Sequence, residues 1–250
     1  MNQLIDEVIS LIEEVRERKK FKAYVLTGSG ISRASGIPTF RGEDGLWEKY
    51  DFEEVATYDA WVKNPEKLWE FYREGIDLIL NSEPNNAHYA VAKLEEMGFC
   101  QSVITQNADG LHQRAGSKNV YEVHGNLTRV VCPNCGMKAP FQYNAENFPP
   151  HCSCGSLLRP DVVLFGETLP TDILSKAFSI AKTANLVFVV GTSAEVYPIA
   201  SLPHLSKRNR ARVVVFNIKK TSHAQIADVF IQGKCEETLP KLVEKLVQKE

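Results

Sequence analysis

Four short runs of this 250-residue chain are apolar on both faces, and each closes on polar residues: "KAYVLTG", "SVITQN" (102–107), "ANLVFVVGTS" (184–193) and "RVVVFNI" (212–218). A strand of this kind has no face to offer to water. It belongs in a parallel sheet covered on both sides by helices. Helical patterns stand where such covers are needed. "NAHYAVAKLEEMG" precedes the second run, "TDILSKAFSIAKTA" the third, and "ETLPKLVEKLVQK" lies near the C-terminus. Leu4, Ile5, Val8, Ile9, Leu11, Ile12 and Val15 recur at helical spacing, so the chain opens on an amphipathic helix. Alternating β and α units predict an α/β, doubly wound fold. Ligands in that fold sit at the carboxyl ends of the strands.

Two stretches break the alternation. Residues 43–84 are rich in aromatics and read as helical, while residues 129–159 hold four cysteines, four prolines and little periodicity. Both are assigned to a smaller inserted lobe. The sheet domain then comprises 1–42, 85–128 and 160–250, and the small domain 43–84 and 129–159. A net charge of −2 creates no global field that would draw nucleic acid or an anionic membrane. No apolar run reaches the roughly 18 residues of a membrane span. The first residues lack a signal-peptide core, so a cytoplasmic location is expected.

"CPNC" (132–135) and "CSC" (152–154) have the spacing of two metal knuckles, the second tighter than usual. Cys132, Cys135, Cys152 and Cys154 can supply the four thiolates of a structural zinc. A disulfide pair or unlinked thiols are the alternatives, and His151 could stand in for a thiolate if the C-x-C cannot close. Four cysteines leave no open position for water. A nucleic-acid role for the ribbon is weakened by its interior, where only Arg129 and Lys138 are basic.

The first apolar run leads into "TGSGISRASGIPTFRG" (27–42). Gly28 and Gly30 after a strand suggest amides exposed to a phosphate, although chain-turning glycines would look the same. No Gly-Lys-Ser/Thr follows, and Arg33 stands where a dinucleotide fingerprint has its third glycine. Phe40 and Arg41 beyond Pro38 offer a ring cover and a cation. The other runs also end on polar groups: Gln106, Asn107 and Asp109 in "TQNADGLH", Gly191, Thr192 and Ser193 in "GTS", and Asn217. His124 lies in "EVHGN". Four such ends in one crevice point to a nucleotide.

In order, GxGxS…GIPxFR, TQNxDxLH, HG, C-x2-C…C-x-C, "LRPDVVLFGE", "GTS" and a strand ending in Asn resemble the sirtuin family, the NAD-dependent protein lysine deacylases. The resemblance runs from about Lys22 to Leu246. It implies a Rossmann-like domain, a small domain with one structural zinc, and NAD and an acyl-lysine protein or peptide meeting between them. By position, Gly28, Ser29, Gly30 and Ser32 would cradle the diphosphate, with Arg33 at the loop edge and Arg41 beside the phosphates. Phe40 would cover the nicotinamide side of the ribose. Gln106, Asn107, Ala108 and Asp109 would line the nicotinamide pocket, with Asn107 and Asp109 catalytic. Gly191, Thr192 and Ser193 would meet the diphosphate and adenosine ribose, Asn217 that ribose, and Cys235 the adenine. His124 would be the general base. Val163, Phe165, Gly166 and Glu167 would pair with the substrate backbone, and Ala56 and Tyr72 would shape the acyl pocket. The products would be nicotinamide, free lysine and O-acyl-ADP-ribose. Protein mono-ADP-ribosyl transfer, or an NAD- or ADP-ribose-binding zinc protein without catalysis, are the competing readings. Neither direct nucleic-acid binding nor membrane association is expected.

The chain departs from the family pattern at several places. Thr39 replaces the usual Asp, as in a bacterial and mitochondrial-like subset. Ala108 replaces Ile or Val, and Lys219 replaces a Glu. The Tyr-x-x-Arg of members that prefer succinyl or malonyl groups is incomplete, because Gly75 stands in the arginine position.

Overall fold

The computed structural model describes residues 1–17, 20–40 and 45–249. Helix α1 (Asn2–Arg16) leads to strand β1 (Ala23–Thr27). Four helices follow: α2 (Leu46–Lys49), α3 (Phe52–Val55), α4 (Tyr58–Lys63) and α5 (Pro65–Asn81). Helix α6 (Asn86–Glu96), strand β2 (Ser102–Thr105), helix α7 (Leu111–Arg114) and strand β3 (Val120–Glu122) return the chain to the first sheet. Strands β4 (Gly125–Val131), β5 (Lys138–Pro140) and β6 (Arg159–Val162) form a second sheet. The chain continues through α8 (Thr171–Thr183), β7 (Leu186–Val190), α9 (Leu202–Arg208), β8 (Arg212–Asn217), β9 (Val229–Gln232) and α10 (Cys235–Val247).

The six-stranded sheet is parallel with order β3-β2-β1-β7-β8-β9. Alternate side chains of one strand serve opposite cores. Val25, Phe188 and Val214 face α1, α6 and α10, while Tyr24, Leu26, Val187 and Val215 face α8 and α9. The sheet has two strands, β3 and β9, that the apolar runs do not announce. Both are edge strands of three or four residues, and β3 is only half-buried. Strand order reverses between β1 and β7. The loops after these two strands therefore splay apart and open the crevice where a ligand can sit.

The second sheet is antiparallel, with order β5-β4-β6. It runs from Gly125 and closes at Val162, so it reaches past residues 129–159 at both ends. Trp69 of α5 joins the helical module to this sheet. Its indole donates to the Leu158 carbonyl at 2.8 Å, and its ring stacks on Phe141 at 5.5 Å. Trp69, Ile76, Val130, Phe141 and Leu158 share one small core with Cys132 and Cys152. Among the described residues, no helix is long and apolar enough to cross a membrane.

Candidate active site and metal centre

The polar ends of β1, β2, β7 and β8 meet at the switch point. Gly28 N–H donates to Val190 O at 3.1 Å, and Gly30 N–H to Gly191 O at 2.9 Å. Side chains have no room here. A Cβ on Gly28 would lie 2.9 Å from Gly191 O, and one on Gly30 would lie 2.7 Å from it. Gly191 adopts φ +59°, and its Cβ would come 2.6 Å from Ile31 N. The Gly28 and Gly30 amides are thus bonded to the β7 end and not exposed to a phosphate as the sequence suggests; what these glycines provide is the close approach of two backbones, a glycine cradle. Ser29 is half-buried on its rim, and Ser193 and Arg33 are exposed there. Phe40 is exposed at the far end of the loop, and Arg41 lies outside the described residues.

Beneath the cradle the side chains interlock. Ser32 donates to Asp109 Oδ2 at 2.6 Å, and Leu111 N–H to Asp109 Oδ1 at 2.9 Å. Burial pushes the Asp109 carboxyl above its ordinary range, partly offset by these two bonds. Asn107 Nδ2 donates to Gly28 O at 3.2 Å and to Ser32 Oγ at 3.1 Å. Gln106 Nε2 donates to Thr192 Oγ1 at 2.9 Å, and Asn217 Nδ2 to Thr192 O at 2.8 Å. Gln106, Asn107, Asp109, Thr192 and Asn217 are thus drawn together at the strand ends, with Ser193 exposed beside them. Ala108 sits one step from this group, its carbonyl accepting from Leu127 N–H at 2.8 Å. Cys235 opens α10, but its thiol is 4 % exposed and its Sγ lies 4.0 Å from the Phe216 carbonyl, in the sheet core.

His124 lies in the turn between β3 and β4. Its Nδ1 is 3.0 Å from the Gln106 carbonyl, a pure acceptor. Nδ1 therefore carries the proton, and Nε2 keeps its lone pair. Burial lowers the His124 pKa, so the ring is a neutral base at pH 7; the bond to Gln106 only partly opposes this. Gly125 is required beside it. Its φ is +85°, and a Cβ would lie 2.0 Å from the Asp161 carbonyl.

Segment 163–167 runs next to His124. Val163 N–H donates to His124 O at 3.0 Å, Phe165 N–H to Ala56 O at 2.9 Å, and Tyr58 N–H to Phe165 O at 2.9 Å. Glu167 fixes the segment's shape. It pairs with both Nη atoms of Arg159, at 2.6 and 2.7 Å, and accepts from Leu164 N–H at 2.8 Å. Burial pushes its carboxyl up, but Arg159 and the Leu164 N–H together hold it below its ordinary range. Gly166 is exposed, with φ +90°. Tyr72 packs among Leu68, Val162, Leu164, Ala108 and Leu127. Arg73 turns the other way, its guanidinium 5.8 Å from the Tyr143 ring centre.

The four cysteines converge. Their sulfur atoms lie within 4.8 Å of one another, with Cys132–Cys154 at 3.6 Å and Cys135–Cys152 at 3.7 Å. Tetrahedral zinc with bonds of about 2.3 Å sets sulfurs about 3.8 Å apart. None is in a disulfide. The donor set therefore fits zinc, the tight C-x-C closes, and His151 is not in the group. With all four positions thiolate, the ion has no place for a reacting water.

His88 carries no signal of its own in the sequence, whereas His112 closes the TQNxDxLH run. His88 Nε2 lies 3.4 Å from Ser32 Oγ, and its Nδ1 accepts from Asn85 N–H at 3.3 Å in a capping box. Asn85 followed three residues later by His88 at a helix start is the cue that could have found it. His112 Nε2 lies 2.9 Å from Thr27 Oγ1. Burial holds both imidazoles in the neutral form, His88 down to about 4.

Fold and site together define a nucleotide-binding α/β protein with a zinc ribbon in its second lobe. The Sir2 family model matches residues 28–198. The NAD-dependent protein deacylase of Pyrococcus furiosus is 50% identical over 235 residues, covering 91% of this chain and 94% of that protein. NAD-dependent protein deacylase 2 of Archaeoglobus fulgidus is 47% identical, covering 96% of each. Among solved structures, a Sir2 homologue–NAD complex superposes with a TM-score of 0.89 at 42% identity, covering 96% of this chain and 94% of that one. A Sir2–p53 peptide–NAD+ complex gives 0.87 at 37% identity, covering 98% and 99%. The chain belongs to the Sir2 family.

Proposed function

We propose that this protein is an NAD-dependent protein lysine deacylase, with His124 as its general base. The observation that carries this is the orientation of His124, whose Nδ1 is committed to Gln106 while a neutral Nε2 is left for proton transfer. Gly28, Ser29, Gly30, Ser32, Arg33 and Gly191–Ser193 would hold the diphosphate. Asn217 and the start of α10 at Cys235 would hold the adenosine end. NAD, when bound, supplies an electrophilic ribose carbon from which nicotinamide can leave. Asn107 and Asp109, fixed by Ser32, would orient the nicotinamide amide, with Gln106 and Ala108 as neighbouring wall. His124 Nε2 would take a proton from a ribose hydroxyl, the general-base role suited to an imidazole neutral at pH 7.

The acyl-lysine would be presented by a peptide added as a strand to segment 163–167. The Val163 carbonyl and Gly166 N–H have no partner among the described residues, so they are available to it. The lack of a disulfide at any of the six cysteines fits the reducing cytoplasm as its location. His124→Ala should lower deacylation by about 10²–10⁴-fold with NAD binding retained. The wild-type kcat/KM should fall only below the ordinary imidazole pKa of 6.5, because the His124 value is lowered. A mutant with near-normal turnover, or a wild-type limb above pH 7, would reject the role.

Acetyl and longer neutral acyl groups are the preferred cargo in this reading. The pocket wall around Tyr72 is apolar, and the cation that acts on Tyr72, Arg159, is already bound by Glu167. Among the described residues a buried acyl carboxylate would find no free partner there, a cost of several kcal/mol. Comparing kcat/KM for acetyl, butyryl and succinyl forms of one peptide tests this. A succinyl value equal to the acetyl value would contradict it.

A further inference from the structure

We infer that Glu122 is a positioning residue for His124, acting through an ionic clasp to Arg129 that straddles the catalytic turn. The inference rests on the deacylase reading above. Glu122 is the last residue of β3 and His124 lies two residues on, before β4 begins. The Glu122 carboxylate is held on three sides. Arg129 Nη2 donates to Oε2 at 2.9 Å, Gln113 Nε2 donates to Oε1 at 2.8 Å, and Asn126 Nδ2 donates to the same Oε1. Two of these donors lie on β4, just past the turn. The clasp therefore closes the chain around His124 from both sides.

The clasp continues into the small sheet. Arg129 Nε donates to Asp161 Oδ2 at 3.1 Å, and Lys138 Nζ donates to Asp161 Oδ1 at 2.8 Å. Glu122 and Asp161 side chains are only 11% and 10% exposed, whereas Arg129 and Lys138 are 37% and 57% exposed, so water screens each pair from the cation's side and the geometry of the clasp matters more than its charge. On its other flank Glu122 registers with Thr105, the neighbour of Gln106. Gln106 is the residue whose carbonyl fixes His124 Nδ1. Glu122 thus meets the strand that orients the imidazole through its backbone, and holds the strand that carries the chain away through its carboxylate. Val123 N–H to Thr105 O, at 3.1 Å, is the backbone contact the clasp reinforces. Releasing it frees the turn to shift, while the glycine cradle, built on β1 and β7, keeps its own contacts.

The test separates two chemical stages. Exchange of labelled nicotinamide into NAD in the presence of acetylated peptide reads bond breaking before any proton reaches His124. Formation of deacylated peptide needs His124. A misplacement of about 1 Å can cost about 10²-fold, so Glu122→Gln and Arg129→Met should each lower deacylation kcat by about 10- to 100-fold. Exchange and the KM for NAD should stay within about twofold. The double variant should be no worse than the poorer single, because both break one clasp. Zinc content and NAD binding by calorimetry report that each variant is folded. Deacylation kcat within twofold of wild type in both variants, or exchange falling in step with deacylation, overturns the inference alone. A wild type that forms no deacylated peptide overturns the deacylase reading and this inference with it.

Discussion

The two lobes reach stability by different means. The large sheet is sealed on both faces by apolar residues from five helices, and its central strands are wholly buried. Around the zinc ribbon the small lobe has, among the described residues, one cluster of seven buried residues, two of which are the ligand cysteines Cys132 and Cys152. A core of that size supplies little free energy by area alone. Its metal site therefore supplies what the apolar interior lacks, and the two lobes should respond oppositely to chelation.

The largest effect should come from the metal. Structural zinc contributes about 10–16 kcal/mol in small zinc-dependent folds at pH 7. Chelation, or Cys132→Ser, should melt the small lobe while the far-ultraviolet signal of the large sheet and its helices persists. Calorimetry checks this as loss of one transition, with bound zinc measured in parallel. A zinc-free protein that melts unchanged would erase the distinction between lobes.

A smaller effect tests whether the helical module belongs with the zinc ribbon. Trp69 is fully buried between them. Trp69→Ala should cost about 3–5 kcal/mol, confined to the small-lobe transition. An equal fall in both transitions would mean that the molecule unfolds as one unit.

The smallest effect falls on the cradle. Gly30→Ala places a methyl group 2.7 Å from Gly191 O, so one loop must give way. Overpacking of this kind costs about 1–3 kcal/mol, or about 5- to 150-fold in affinity for NAD if binding absorbs it all. Titration calorimetry reads it, with the small-lobe transition as internal control. Unchanged affinity would mean that the cradle flexes and that backbone contact does not define it.

What the sequence shows and what it hides also divides by region. Strands β1, β2, β7 and β8 are readable because burial on both faces forces an unbroken apolar run. The edge strands β3 and β9 lack that demand. β4 is blurred by Arg129, whose guanidinium is satisfied by Asp161 and Glu122 from other strands, and by Thr128, which bonds Asn126 two residues back. The candidate site is readable as a set of polar strand ends at Gly28, Gly30, Asn107 and Asp109, while His124 stands out only through the family resemblance. The site is opaque where a common residue acquires its role from a distant partner. Glu122, Arg159 and His88 are of that kind. Glu167 shows the limit well, since its hold on Arg159 and on Leu164 N–H exists only once β6 has turned back on itself.

The order of the sheet also governs how the protein is born. β1 is the central strand, yet its entry is tied to β7 by the bond from Lys22 N–H to the Asn185 side chain, 163 positions later. At about 5–20 residues per second on a ribosome, β1 waits about 8–30 s for that neighbour. β2 reaches it sooner, as the bond from Ala23 N–H to Gln101, 78 positions on, requires. For the interval between, a nascent chain carries an apolar strand paired along one edge and bare along the other. That edge is where a chaperone would have to hold, and where two unfinished copies would join by mistake.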